Sequence, residues 1–99
     1  MRRNKDKERR EALVEVRELL GKAADAFAKD PAVAHRFVAK ARRAAMRVQL
    51  VLPIYLKRRY CKHCNHYLMP SVNARVRIQK SRVIIYCLDC KKYTRIPLH

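Results

Sequence analysis

Carboxylate side chains are nearly missing from most of this chain: between Pro31 and His99 there are sixteen Lys and Arg but a single acid, Asp89. A protein that cleaves phosphodiesters through bound Mg2+ generally needs several carboxylates to hold the ion, and one aspartate between two cysteines offers no such cage. The remaining acids lie toward the N-terminus, where Glu11, Glu15, Glu18 and Asp25 have the spacing of a solvated helix face. The His-x-Glu element followed by Pro-Cys-x-x-Cys that marks zinc deaminases is absent, and no Ser/His/Asp constellation is discernible. Taken alone, the chain is expected to be catalytically inert.

Long apolar runs are missing as well. The most apolar stretch, Val48 to Leu56, is broken by Gln49 and Pro53 and is too short to span a bilayer. No apolar run follows the charged start Met1-Arg2-Arg3-Asn4-Lys5, so no secretory leader is expected and a cytoplasmic setting is. Basic proteins can cling to anionic membranes, but the apolar faces here are needed for internal packing, and no membrane partner is expected.

What the chain has in excess is positive charge. Its 25 Lys and Arg against eight Asp and Glu give a formal net charge of +17. Such a surface repels itself unless a polyanion neutralises it, and the abundant cellular polyanions are nucleic acids.

Only four cysteines are present, and they form two pairs, Cys61-Lys-His-Cys64 and Cys87-Leu-Asp-Cys90, separated by 22 residues. Each pair offers two sulfurs from one tight turn, and the intervening segment is long enough for a hairpin that brings the turns face to face. One Zn2+ in a four-thiolate shell accounts for every cysteine. Two disulfides fit less well where no secretory leader is expected, and a thioredoxin-like site would need a single pair beside a βαβ pattern. His63 and His66 lie beside the first pair, but four thiolates complete the shell without them. A filled shell leaves no open position for a catalytic water, so the zinc is expected to be structural, and loading it would lower the net charge to about +15.

Leu13, Val16, Leu20, Ala24 and Phe27 recur at three- and four-residue steps and predict an amphipathic helix from about Asp6 to Ala28. Before Asp6 the charged run is expected to fray. Asp30-Pro31 is a helix-start signal, and a second helix is predicted from there to about Val51, stopped by Pro53, with Val33, Phe37, Ala41, Ala44, Ala45 and Val48 on its apolar face. A short link near Lys29 folds the two back as an antiparallel pair. On the polar side of helix two, Arg36, Lys40, Arg43 and Arg47 fall within about one-sixth of the circumference. A charged helix face is ordinarily just solvated, but with no acids interleaved these four are assigned to phosphate contact.

Beyond a basic linker containing Lys57-Arg58-Arg59, the periodicity changes. Ala74 to Gln79 alternates polar and apolar residues, Arg82 to Tyr86 is a β-branched run entering the second cysteine pair, and Tyr93 to Ile96 makes a last short strand. Lys80-Ser81 is the expected turn between the first two, without the usual Asn-Gly or Asp-Gly. Arg75 and Arg77 share one face of the first strand and join the phosphate-contacting set with Lys57, Arg58 and Arg59; Arg82 and Arg95 are expected to extend that cationic patch. Tyr86 and Tyr93 are of a type that stacks on unpaired bases, but in a small ribbon aromatics more often fill the core, and they are not assigned to the site. The fold class is therefore α+β: an N-terminal antiparallel helix pair (1–53), a basic linker (54–60) and a C-terminal zinc ribbon of short antiparallel strands (61–99).

The motif series is distinctive. Asp30 through Arg47 with Ala41-Arg-Arg-Ala-Ala-Met-Arg47, then Leu52-Pro, Leu56-Lys-Arg-Arg-Tyr-Cys61, Met69-Pro-Ser-Val-Asn-Ala-Arg-Val-Arg77, Cys87-Leu-Asp-Cys90 and Arg95-Ile-Pro97 resembles the archaeal ribonuclease P protein component 4 family. That resemblance implies a subunit of the ribonucleoprotein that removes the 5′ leader from precursor tRNA, with hydrolysis carried out by a catalytic RNA using Mg2+ that this chain does not bind. It implies stabilisation of that RNA and a lowered Mg2+ requirement. It further implies that the helix pair docks on ribonuclease P protein component 1; helix one, with fewer net cations, is then the protein-facing element, through Leu13, Val16, Leu20 and Phe27. A generic RNA-binding ribbon of the ribosome or transcription machinery would share the charge and the metal but needs no helical partner. A protein-only nuclease would cleave precursor tRNA without RNA, against the scarcity of acids. Ser71 stands where the pattern has glycine, and Asn65 and Lys91 follow the two cysteine pairs where such turns often prefer it. Asn tolerates positive φ, whereas Lys91 does so at some cost.

Overall fold

The computed structural model describes residues 5–97. Of the charged run before Asp6 that is expected to fray, Met1–Asn4 lies outside them, as do Leu98 and His99, whereas Lys5 is already helical. Three helices, α1 (Lys5–Phe27), α2 (Pro31–Arg47) and the single turn α3 (Ile54–Lys57), are followed by three strands, β1 (Ala74–Gln79), β2 (Arg82–Cys87) and β3 (Tyr93–Pro97).

The helices form where the periodic apolar residues lie. Asp6 and Glu8 in the first turn of α1 face its positive end. Asp30 caps α2: its carboxylate accepts from the Ala32 N–H at 3.1 Å, and Pro31 occupies the first helical position, where no N–H is needed. The tight link folds α2 back on α1, and the seam between them is lined by Ala12, Val16, Leu20, Ala23 and Phe27 on one side and Ala34, Val38, Ala41, Ala44 and Ala45 on the other. The apolar face expected for α2 is thus turned slightly. Ala34 and Val38 point into the seam, while Val33, Phe37 and Val48 are half-buried at its flanks. Small side chains at the contact let the two backbones approach closely, which favours the alanine-rich line over the bulkier one.

Helix two also ends earlier than Pro53 would require. The Leu50 N–H donates to the Ala45 carbonyl at 2.9 Å and the Gln49 N–H to the Met46 carbonyl at 3.2 Å, with Gln49 at φ 53°. These are the two bonds of a Schellman cap, made here without glycine. The freed chain carries Leu52 and Leu56 back onto the helix pair, where both are buried.

In the sheet, β2 is central and antiparallel to both neighbours. Lys80 and Ser81 both take positive φ, 49° and 60°, as a two-residue hairpin turn of the type that matches strand twist requires. Val83, Ile85, Cys87 and Ala74 are buried with Cys61 and Leu68 in a second, smaller core.

Candidate metal centre and nucleic-acid interface

The two cysteine turns are built alike. In the first, the Asn65 N–H donates to the Cys61 carbonyl at 2.8 Å and the Cys61 N–H to the His66 carbonyl at 2.9 Å; in the second, Lys91 bonds to Cys87 at 2.8 Å and Cys87 to Lys92 at 3.0 Å. Each turn closes through a left-handed residue directly after its second cysteine, Asn65 at φ 62° and Lys91 at φ 59°. Ser71, the third position where glycine was expected, has φ 72°. The chain therefore keeps these backbone conformations while lacking the residue that adopts them most freely.

These turns bring all four sulfurs within 4.8 Å of one another. Cys61 Sγ lies 3.6 Å from Cys90 Sγ, and Cys64 Sγ lies 3.7 Å from Cys87 Sγ. A disulfide would need roughly 2 Å. Thiolates around a tetrahedral metal with bonds of about 2.3 Å stand roughly 3.8 Å apart, so the donor set fits one metal ion. The His63 N–H points at Cys61 Sγ from 3.4 Å. Burial pushes the Cys61 thiol up, but the N–H groups of Cys64 and His63 outweigh it and leave Cys61 below its ordinary value, while burial holds Cys64 up at about 12 and Cys87 also raised. Four clustered thiols do not ionise together unaided; a cation at their centre would supply the compensating charge.

His63 and His66 are engaged elsewhere. His63 Nε2 donates to the Tyr93 carbonyl at 3.1 Å. His66 belongs to a junction between the ribbon and the helices that nothing in the sequence announced. Its ring stacks on His35 of α2, 3.9 Å between centroids and 8° from parallel, and its Nδ1 bonds Asp89 Oδ2 at 3.0 Å. His35 Nδ1 accepts the Tyr67 N–H at 3.0 Å, which requires a neutral ring; burial, and then the neighbouring His66, lower its pKa. The buried Asn73 accepts from the Met69 N–H and donates to both the Tyr67 carbonyl and Asp89. Burial alone would raise the Asp89 pKa, but the bonds from His66 and Asn73 outweigh it and lower it. Phe27 and Tyr67, ring centroids 6.0 Å apart, complete the junction on its apolar side.

The cations occupy separate elements. Arg36, Lys40, Arg43 and Arg47 are all exposed along α2, and none is paired with a carboxylate among the described residues. Lys57 and Arg58 are exposed on and after α3, with Arg59 half-buried. Arg75 and Arg77 are exposed on β1, and the register aligns Arg75 with Tyr86 and Tyr93, and Arg77 with Ile84 and Arg95, on one sheet face. Six acids balance six cations along α1, whereas α2 carries five cations and no acid.

The docking residues drawn from helix one need correction. Val16 and Leu20 are fully buried against α2 and Phe27 is 6% exposed, so their apolar surface is already covered within the chain; Leu13 is partly buried. The apolar residue that α1 leaves outside is Val14, 52% exposed.

Comparison with known proteins places this geometry. The family model described as the RNAse P Rpr2/Rpp21/SNM1 subunit domain matches residues 6–91. Ribonuclease P protein component 4 of Methanopyrus kandleri is 44% identical over 92 residues, covering 90% of this chain and 72% of that protein. The protein of the same name from Archaeoglobus fulgidus is 42% identical over 98 residues, covering 99% and 91%. Among solved structures, a chain of an archaeal ribonuclease P with mature tRNA, determined by cryo-EM, superposes with a TM-score of 0.78 at 37% identity, over 88% of this chain and 76% of that one. A structure described as Pfu Rpp21 gives a TM-score of 0.58 at 35% identity, over 83% and 93%.

Proposed function

Because the chain belongs to the RNase P Rpr2/Rpp21/SNM1 subunit family, and is thus a protein subunit of ribonuclease P, we propose that it works as a metal-clamped, cation-studded scaffold that binds and stabilises the catalytic RNA while that RNA removes the 5′ leader from precursor tRNA. The observation that carries this reading is the stripe Arg36, Lys40, Arg43 and Arg47, exposed and without a carboxylate partner among the described residues. Such cations displace counterions from an RNA backbone and relieve the repulsion that Mg2+ would otherwise have to screen. The particle would then need less Mg2+, which the RNA and not this chain binds. Lys57, Arg58, Arg59, Arg75 and Arg77 extend the contact from α3 and the sheet.

The metal is proposed to be one Zn2+ held by Cys61, Cys64, Cys87 and Cys90, because four thiolates at these separations suit its size and geometry. Its role is to hold the two turns together. The division into helix pair, linker and ribbon at 1–53, 54–60 and 61–99 assigns protein docking to the first and metal to the last. Ribonuclease P protein component 1 is proposed as the direct protein partner, meeting the charge-balanced α1 through exposed Val14 and the edge of Leu13. No described helix is long and apolar enough to cross a membrane, and the particle is proposed to work in the cytoplasm.

Reconstitution tests the reading. Catalytic RNA and partner proteins, assembled with and without this chain, are compared in precursor tRNA cleavage across a Mg2+ titration. The expected result is a shift of the midpoint to lower Mg2+ when the chain is present, with no cleavage by the protein without RNA. Identical titrations, or turnover by the protein alone, contradict it.

A further inference from the structure

The outer face of the sheet carries an aromatic pair embedded in cations. Antiparallel register sets Arg75, Tyr86 and Tyr93 in one row across the three strands and Arg77, Ile84 and Arg95 in the next. Tyr86 and Tyr93 pack ring against ring, 4.7 Å between centroids and tilted by 46°. This contact fixes their orientation at no cost to a ligand. Tyr93 nonetheless remains 46% exposed, and the Arg95 guanidinium lies 5.6 Å from its ring centroid. No carboxylate shares these rows. The core of the ribbon lies on the opposite side of the sheet, where Val83, Ile85 and Cys87 are buried, so Tyr93 is not part of that packing.

An exposed tyrosine is ordinarily unremarked surface. Here a braced ring, a guanidinium beside it and a row of arginines at strand spacing combine the two elements with which proteins hold single strands: a π-face for a base and a cationic track for its phosphates. We propose that this face is a stacking platform for an unpaired base of single-stranded RNA, with Tyr93 as the stacking ring, Tyr86 as its brace, and Arg75, Arg77 and Arg95 on the flanking phosphates. The proposal rests on the reading of the chain as an RNA-binding subunit and adds a site apart from the α2 stripe. Duplex RNA presents no free base face, so the platform discriminates in favour of unpaired segments.

The test uses the full metal-loaded chain and a short RNA carrying one central 2-aminopurine, offered as a single strand and annealed to its complement. Tyr93→Leu keeps apolar volume and charge but removes the ring. It is expected to weaken single-strand binding roughly tenfold and to abolish the stacking quench of 2-aminopurine, with duplex affinity and salt slope unchanged. Tyr93→Phe is expected to restore both, and Arg95→Gln to weaken single-strand binding several-fold. Within the reconstituted particle, a Tyr93→Leu effect on the protein concentration needed for assembly places the base in the subunit RNA, and an effect on KM places it in precursor tRNA. If wild-type protein binds both RNAs and Tyr93→Leu matches it on the single strand, or loses both alike, the platform is overturned and the RNA-binding reading stands. If the wild type shows no salt-dependent binding to either, that reading fails with it.

Discussion

The helix pair and the ribbon solve the problem of holding together a small chain in opposite ways. Between α1 and α2 the seam is a continuous line of aliphatic side chains, with Val16, Leu20 and Val38 wholly buried. In the ribbon, two of the six buried core residues are Cys61 and Cys87 of the proposed metal site, and Val76 and Ile78 on the same side of the sheet stay 47% and 71% exposed. One half buries a continuous apolar seam; the other has less to bury, and a metal held by its four sulfurs is proposed to make up the difference. The contrast leaves the ribbon's outer face free to carry Arg75, Arg77, Arg82 and Arg95 around Tyr86 and Tyr93, and the outer face of α2 free to carry its cationic stripe.

Metal removal should break that comparison most dramatically. Chelation, or Cys61→Ser, is expected to unfold the ribbon, since a structural four-thiolate site contributes on the order of 10 kcal/mol. The α1–α2 pair should keep most of its helical circular dichroism while the sheet is lost. Simultaneous loss of both would show that the helices need the ribbon. The reciprocal change, Leu20→Ala, is expected to cost roughly 2–5 kcal/mol in urea unfolding of the helices. Metal should remain bound at denaturant concentrations that melt the variant's helices; coincident release would make the two parts one cooperative unit.

Acidification probes the junction between them. His35 has a lowered pKa in the folded protein, so its contribution to stability is fully present above its ordinary value near 6.5 and is lost as pH falls through the lower folded value. Urea midpoints should therefore decline on going from pH 7.5 to pH 5, and His35→Gln, which can still accept the Tyr67 N–H when the medium is acid, should decline less. Equal declines would remove His35 as the sensitive group. The smallest effect is expected from Lys91→Gly, which relieves the left-handed backbone at φ 59° and should stabilise the metal-loaded ribbon by about 1 kcal/mol. A loss of stability would mean that the Lys91 side chain contributes more than its conformation costs.

Much of the ribbon was legible because its signals are local. Paired cysteines report their own turns, alternation from Ala74 to Gln79 reports its strand, and Lys80-Ser81 fell where two runs had to reverse. Both helices and the Asp30-Pro31 start were likewise readable from spacing. The end of α2 was not, because its cap is made by Gln49, a residue with no marked preference for positive φ, while the eye is drawn to Pro53. Nor was the seam's rotation onto Ala34 and Val38, since which of two adjacent apolar lines is used depends on the partner helix. The His35–Tyr67 and Asn73–Asp89 bonds join residues 32 and 16 positions apart, and no periodicity encodes such pairings. Leu13, Val16, Leu20 and Phe27 illustrate the remaining ambiguity: a stripe that could meet another subunit or a neighbouring helix looks the same in sequence, and here it meets α2.

The central claim, that α2 neutralises RNA phosphates, is tested most directly by the salt dependence of binding to the ribonuclease P RNA. Removing both charges in Arg43→Ala/Arg47→Ala should weaken binding and flatten the slope of log affinity against log salt by roughly 1.4–1.8. A slope identical to that of the unaltered protein would contradict the account.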